Sequence, residues 1–200
     1  PSPQVVQWKE ELEARGIRCA SGGGADLLQT EEIGTLRCFL QTILNPRQDI
    51  PLIAALASPI FGFSADELAA IRSQKKNGSF YDALREWGQP KTDRFLEVLD
   101  QLRQEARRST LTQLLEQCLN LTRLDSVYGA MAGGEARAAN IQAFYQLAVD
   151  FEKGALRDLA QFLAHLDALE ESGLPAAANT NSGCVTIMSI HKSKGLEFPV

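Results

Sequence analysis

Between Ile33 and Leu166, apolar residues recur at steps of three and four, a spacing that a succession of amphipathic helices can bury on one side. Thr30 stands where it can cap a helix whose apolar face is Ile33, Leu36, Leu40, Ile43 and Leu44. Glu31 and Glu32 favour its first turn, and Asn45-Pro46 ends it. Pro51 to Ala57 predicts a second, short helix closed by Ser58-Pro59. Ser64-Ala65-Asp66-Glu67 has the form of a capping box, in which hydroxyl and carboxylate each satisfy the other residue's amide, and predicts a helix through Ile71. Ser79 caps the next, which carries Tyr81, Leu84 and Trp87. Lys91 to Arg108 presents Phe95, Val98, Leu99 and Leu102. Thr110 with Gln113 repeats the box ahead of Leu111, Leu114, Leu115, Cys118 and Leu119. Gly133-Gly134 breaks the pattern before a helix over 136–151, and a last one over 156–169 carries Leu159, Phe162, Leu163 and Leu166.

Strand-like pattern is confined to the two ends. A helix over Gln4–Arg15 leads to a short strand at Gly16–Ala20 and a glycine loop at Ser21–Gly24. A small-residue linker over 173–184 leads to the β-type run Val185–Met188. The expected fold class is mainly α: a helical body over 25–172, flanked by segments 1–24 and 185–200 of a strand-containing domain. Strands at both ends of a helical body suggest an insertion, because an inserted domain leaves and rejoins its host at nearby points. The start without Met, and a stop at Pro199-Val200 where an apolar run resumes, lead us to expect a piece of a larger protein.

Composition narrows the function. Hydrophobic residues are 44% and charged residues 22%, as in ordinary globular chains. No apolar run approaches the roughly 20 residues of a membrane span. Four cysteines without a CxxC pair, and two histidines, make a zinc site a poor expectation and point to reduced thiols in the cytoplasm. The net charge of −5 gives no support to tight DNA binding by the chain alone, although 20 Lys and Arg leave room for a local basic patch.

The chemistry concentrates after the last strand, in Ser189-Ile190-His191-Lys192-Ser193-Lys194-Gly195-Leu196-Glu197-Phe198. A polar, glycine-containing turn delivered by a strand and holding a histidine, two lysines and a glutamate suits phosphate and nucleotide contact. A solvated loop after a buried strand is the plain alternative. This segment resembles motif V of the UvrD-like DNA helicases, a strand ending in Thr/Ser-x-His-x-x-Lys-Gly-Leu-Glu-Phe/Trp. Each specified position is matched, by Ser189, His191, Lys194, Gly195, Leu196, Glu197 and Phe198. The block from Asn45-Pro46-Arg47-Gln48-Asp49-Ile50-Pro51-Leu52 to Ser58-Pro59-Ile60-Phe61-Gly62-Phe63-Ser64 is similar to the AddA branch of that superfamily, the helicase–nuclease subunits that process double-strand breaks. Asn140-Ile141-Gln142-Ala143-Phe144-Tyr145 is similar to a helix of the same accessory domain.

The resemblance implies a helical accessory domain, 2B, inserted in the RecA-like motor domain 2A, whose edges would be 1–24 and 185–200. It implies that Ser189 and His191 contact single-stranded DNA. It places Lys194, Gly195 and Glu197 at the nucleotide, and it implies ATP and magnesium as cofactors of the parent protein and a partner subunit of AddB type. The chain carries no Gly-x-x-x-x-Gly-Lys-Ser/Thr, so by itself it is expected to bind neither cofactor and to turn over no ATP.

A second DNA candidate is the turn at Gly62, Phe63 and Ser64. A glycine turn feeding a capped helix can offer amides to a phosphate oxygen, and related helicases hold duplex with a glycine loop at this place. It is equally a good helix cap, and Asp66 and Glu67 repel an anion there. Arg103, Arg107 and Arg108, with Lys91 and Arg94, form the densest basic stretch, with Arg103 and Arg107 expected on one helix face; such a run is usually solvated. Arg47-Gln48-Asp49 is expected to fix a turn between helices, Trp8 and Trp87 to pack, and His165 to sit at the core boundary. A stand-alone helical interaction module without catalysis is the competing function. A small independent enzyme fits worst, with no paired carboxylates to work with.

Overall fold

The computed structural model describes residues 27–154 and 158–172, strand residues 19–21 and 185–187, and residues 8, 11–12 and 14–17 near the N-terminus. The chain divides into two compact units, one of Pro1–Thr30 with Ser172–Val200, the other Glu31–Glu171. In the first unit, β1 (Cys19–Ser21) pairs in parallel with β2 (Val185–Ile187), with Cys19 opposite Val185 and Ser21 opposite Ile187. β1 begins later than the expected strand because Arg15 and Gly16 turn the chain, with Gly16 at φ +76°. Residues 8, 11, 12 and 14 are helical; the remainder of the helix expected over 4–15 lies outside the described residues. Trp8 does not pack as expected. It is 64% exposed, in a unit too small to bury much surface.

The second unit is helical throughout its described residues: α1 (Glu31–Leu44), α2 (Asp49–Ala57), α3 (Ala65–Gln74), α4 (Phe80–Trp87), α5 (Pro90–Glu105), α6 (Leu111–Thr122), α7 (Leu124–Gly129), α8 (Gly134–Glu152) and α9 (Leu159–Ser172). α1 is the hub. It packs against α2, α5, α7 and α8, which is why Ile33, Leu36, Phe39 and Leu40 are sealed from solvent. Leu44 departs from the expected face; the helix stops there, no further turn carries the face on, and the side chain stays exposed. Two aromatic clusters fill the interior. Phe39, Phe61 and Phe95 meet at centroid distances of 4.7–6.1 Å, and Phe162 lies 5.6 Å from Phe144 and 5.3 Å from Phe151. His165, half-buried, stacks on Phe151 at 5.0 Å, at the core boundary as expected.

Helix starts follow the side-chain chemistry of the sequence. Thr110 N–H donates to Gln113 Oε1 at 3.0 Å, and Gln113 N–H donates back to the Thr110 hydroxyl at 3.4 Å. Asp82 N–H donates to the Ser79 hydroxyl at 3.3 Å. Thr30 behaves differently from a simple cap: its hydroxyl donates to Leu27 O at 2.9 Å and closes the 3-10 turn Leu27–Gln29.

Boundaries shift where backbone bonds change partner. α5 ends at Glu105, not Arg108, because Arg107 and Arg108 N–H groups bond three residues back, to Gln104 and Glu105. α7 was not expected at all. Arg123, at φ +55°, takes the left-handed conformation that ends α6 and starts α7. α9 begins at Leu159, after Asp158 accepts from Gln161 N–H at 2.9 Å; Leu156 lies outside the described residues.

Cys118, sealed inside α6, has its thiol pushed up to about 12 by burial. At mildly alkaline pH the folded chain is expected to protect Cys118 from iodoacetamide, with labelling only on unfolding. Peptide mapping of native and urea-unfolded samples checks this; equal labelling in both would contradict the buried position.

Candidate nucleic-acid interface

The segment from Ser58 to Glu67 is folded by its own hydrogen bonds. The Ser58 hydroxyl donates to Ala55 O at 2.6 Å, Gly62 N–H to Ser58 O at 2.7 Å, and Phe63 N–H to Leu56 O at 3.0 Å. This return of the chain puts Gly62 at φ +62°, a left-handed conformation costly for residues with a Cβ. Space is not the constraint there, since nothing lies within 4 Å of a Cβ built at Gly62. Phe61 and Phe63 anchor the turn: Phe61 sits between Phe39 of α1 and Phe95 of α5, and Phe63 is 5% exposed.

Beyond the turn, the expected capping box forms. Ser64 N–H donates to Glu67 Oε2 at 2.7 Å, and Glu67 N–H donates to the Ser64 hydroxyl at 3.2 Å. Lys91, in the first turn of α5, completes the arrangement. Its ammonium donates to Gly62 O at 2.7 Å and to both Glu67 oxygens at 3.0 and 2.8 Å, and lies 4.5 Å from the centre of the Phe63 ring. Hydrogen bonds from Lys91 and from Ser64 hold the Glu67 carboxyl below its ordinary range. Gly62 and Ser64 face solvent, whereas the Phe63 ring is inside; Asp66 is exposed beside them. The amide of Ser64 is occupied by an internal carboxylate, so an incoming anion meets a site that already holds one.

The basic stretch does not form one face. Arg103 donates to Ile43 O at 2.8 Å and closes the end of α1, Arg107 lies past the end of α5, and Arg108 pairs with Glu105 at 2.9 Å. Lys91 belongs to the loop instead, a role sequence spacing could not reveal because Gly62 is 29 positions away. The Arg47-Gln48-Asp49 turn is tied as expected, and more widely. Asp49 accepts from Phe80 N–H and from Arg72, each at 2.7 Å, while Arg47 reaches Asp82 at 2.8 Å. Two residues thereby join the starts of α2 and α4 to α3.

Another polar cluster, also not anticipated, is buried. Glu32, 2% exposed, accepts from Arg137 at 2.9 Å and from Asn140 at 2.6 Å, and Arg137 also reaches Glu31 at 3.1 Å. The Arg137 guanidinium lies 5.4 Å from the centre of the Tyr128 ring, whose hydroxyl is 2.7 Å from that of Thr35. Asn140 opens the third block of sequence resemblance, and its partner in α1 accounts for that position.

Ser189, His191, Lys194, Gly195 and Glu197 lie outside the described residues. Among the described residues there is no group of three or more His, Cys, Asp or Glu able to hold a metal ion, and no helix long and apolar enough to cross a membrane.

Comparison with known proteins covers almost the entire chain. The family model of the UvrD-like helicase C-terminal domain matches residues 3–200. The chain is 37% identical to the AddA component of the ATP-dependent helicase/nuclease of Oceanobacillus iheyensis and 40% identical to that of Acetivibrio thermocellus, over 96% of its length in each case. It is 38% identical over its full length to the corresponding protein of Geobacillus kaustophilus. These alignments cover 16%, 16% and 17% of the respective relatives, so the chain spans about a sixth of their length.

Proposed function

Because the chain belongs to the family of UvrD-like helicase C-terminal domains, we propose that it is the accessory portion of an ATP-dependent DNA helicase/nuclease of the AddA branch, which guides DNA at the motor. The observation that carries this reading is the family match across both units, strand ends and helical body together. On this reading, 1–24 and 185–200 are edges of the RecA-like motor domain 2A, 25–172 is the inserted 2B-like domain, and 173–184 is the linker back. Parallel pairing of Cys19–Ser21 with Val185–Ile187 supports it, since an insertion needs its two ends held as neighbours.

Ser189 and His191 would then hold single-stranded DNA, while Lys194, Gly195 and Glu197 would approach the nucleotide. The turn at Gly62, Phe63 and Ser64 would meet duplex ahead of the motor; with the Phe63 ring buried, contact there falls to the exposed backbone of Gly62 and Ser64. The parent protein would use ATP with magnesium in the cytoplasm, beside a partner subunit of AddB type, and would serve double-strand-break repair and recombination. ATP supplies the free energy for strand separation. The triphosphate cradle would come from outside these residues, because no Gly-x-x-x-x-Gly-Lys-Ser/Thr occurs in the chain. A stand-alone interaction module has no observation in its favour once the match runs into far longer proteins.

The test is made in the full-length protein. His191→Ala is expected to weaken stimulation of ATP hydrolysis by single-stranded DNA, and Glu197→Ala to slow hydrolysis itself, each by about tenfold or more, as loss of a charge-assisted contact implies. Steady-state ATPase rates with and without DNA, read beside unwinding, decide it. Wild-type behaviour of both variants would sink the assignment of this turn.

A further inference from the structure

Three donor contacts converge on one carboxylate in the Gly62–Glu67 loop: the Ser64 amide at 2.7 Å and the Lys91 ammonium at 2.8 and 3.0 Å from the Glu67 oxygens. An amide and an ammonium a few ångströms apart, aimed at two oxygens, are what a phosphodiester also requires. The two charged side chains are 38% and 42% exposed, so a phosphate can reach them without any unfolding. An ion pair so exposed is weak, and exchange of its anion costs little.

Lys91 does not depend on Glu67 for its position. The Gly62 carbonyl at 2.7 Å and the face of the buried Phe63 ring at 4.5 Å hold the ammonium in place if the carboxylate swings away. Glu67 has no comparable second anchor outside its cap. One turn further along α5, Arg94 is exposed and adds positive charge on the same side, while Asp66 opposes it.

We infer that Lys91 is the cation through which this loop holds a duplex phosphate, and that Glu67 is its resident counter-anion, which the phosphate displaces. The inference rests on the reading that the helical unit contacts duplex DNA, and it adds the residue that makes the contact and the residue that opposes it. Glu67 sets a threshold: the loop grips only a phosphate held in place by neighbouring contacts, and it ignores isolated anions that compete poorly with a tethered carboxylate. Duplex affinity at this loop is therefore tuned by an internal competitor, and net repulsion by the acidic helix start is the smaller effect.

The test uses the full-length protein, a short blunt-ended DNA duplex and fluorescence anisotropy over a series of salt concentrations. Glu67→Gln is the decisive variant. Glutamine keeps the capping box and the fold while removing the competing charge. It is expected to tighten duplex binding about threefold or more, and to steepen the slope of log affinity against log salt by up to about one unit. Lys91→Met is expected to weaken binding about fivefold, the loss of one charged phosphate contact. In the Lys91→Met background, the gain from Glu67→Gln should vanish. A Glu67→Gln protein with unchanged affinity and slope overturns the inference, as does a gain that survives Lys91→Met, since that would be a general charge effect. If Lys91→Met fails to fold, Glu67→Gln alone decides the matter. Wild-type protein that does not bind duplex removes the functional reading and this inference together; binding insensitive to both positions removes the inference only.

Discussion

Alanine at Gly134 destabilises the helical unit by about 2–3 kcal/mol, the range expected when a rigid contact is overfilled. A Cβ at that position would lie 1.9 Å from the Gly129 carbonyl oxygen and 2.7 Å from its carbonyl carbon. Those atoms are backbone, at the last residue of α7, and cannot move aside as a side-chain tip could. The preference of helices for alanine over glycine returns less than about 1 kcal/mol and does not offset the clash. Gly133→Ala is the control. Gly133 has φ +74° with nothing within 4 Å of a Cβ, so only backbone strain of about 1–2 kcal/mol is expected there. Urea unfolding midpoints of the two variants separate steric contact from strain. A Gly134→Ala chain as stable as the Gly133→Ala one would mean that α7 and α8 do not approach as described.

The second large effect lies at Arg137. The Glu32 side chain is 3% exposed and the Arg137 side chain 23%, so truncation of the arginine leaves a carboxylate inside the unit with Asn140 as its remaining donor. Arg137→Ala is expected to cost about 3 kcal/mol, the lower end of what breaking a buried pair costs. The double change Glu32→Gln with Arg137→Met should recover more than half of that loss, because neither buried group then carries an uncompensated charge. Thermal and urea unfolding of the single and double variants provide the cycle. A loss below about 1 kcal/mol for Arg137→Ala would place the pair with ordinary surface ion pairs.

What the sequence disclosed follows from the range of each interaction. Helix starts at Ser64, Ser79 and Thr110 were legible because each cap is a contact over three residues. The break at Arg123 was hidden for the converse reason: a non-glycine residue in that conformation is imposed by the packing of α6, α7 and α8 and carries no compositional mark. Glu32 with Arg137, 105 positions apart, and Lys91 with Gly62, 29 apart, have no spacing rule to announce them. The basic run near Arg103 misled because charge was visible and the end of α5 was not. Of the candidate DNA contacts, the Gly62 turn was recognisable from its glycine and cap. That its helix-start amide is already occupied came only from the position of Lys91.

The parallel pairing of β1 with β2 has a mechanical consequence. Tension that enters the polypeptide before Cys19 and leaves after Ile187 loads the two strands lengthwise against each other, so their hydrogen bonds are pulled in shear. Everything between Ser21 and Val185 is a closed loop off that line of force and carries no load while the three paired positions hold. The helical unit thus rides as slack cargo behind a small clip. Stretched end to end, the molecule should first yield at the clip, and only afterwards would the helices feel the pull.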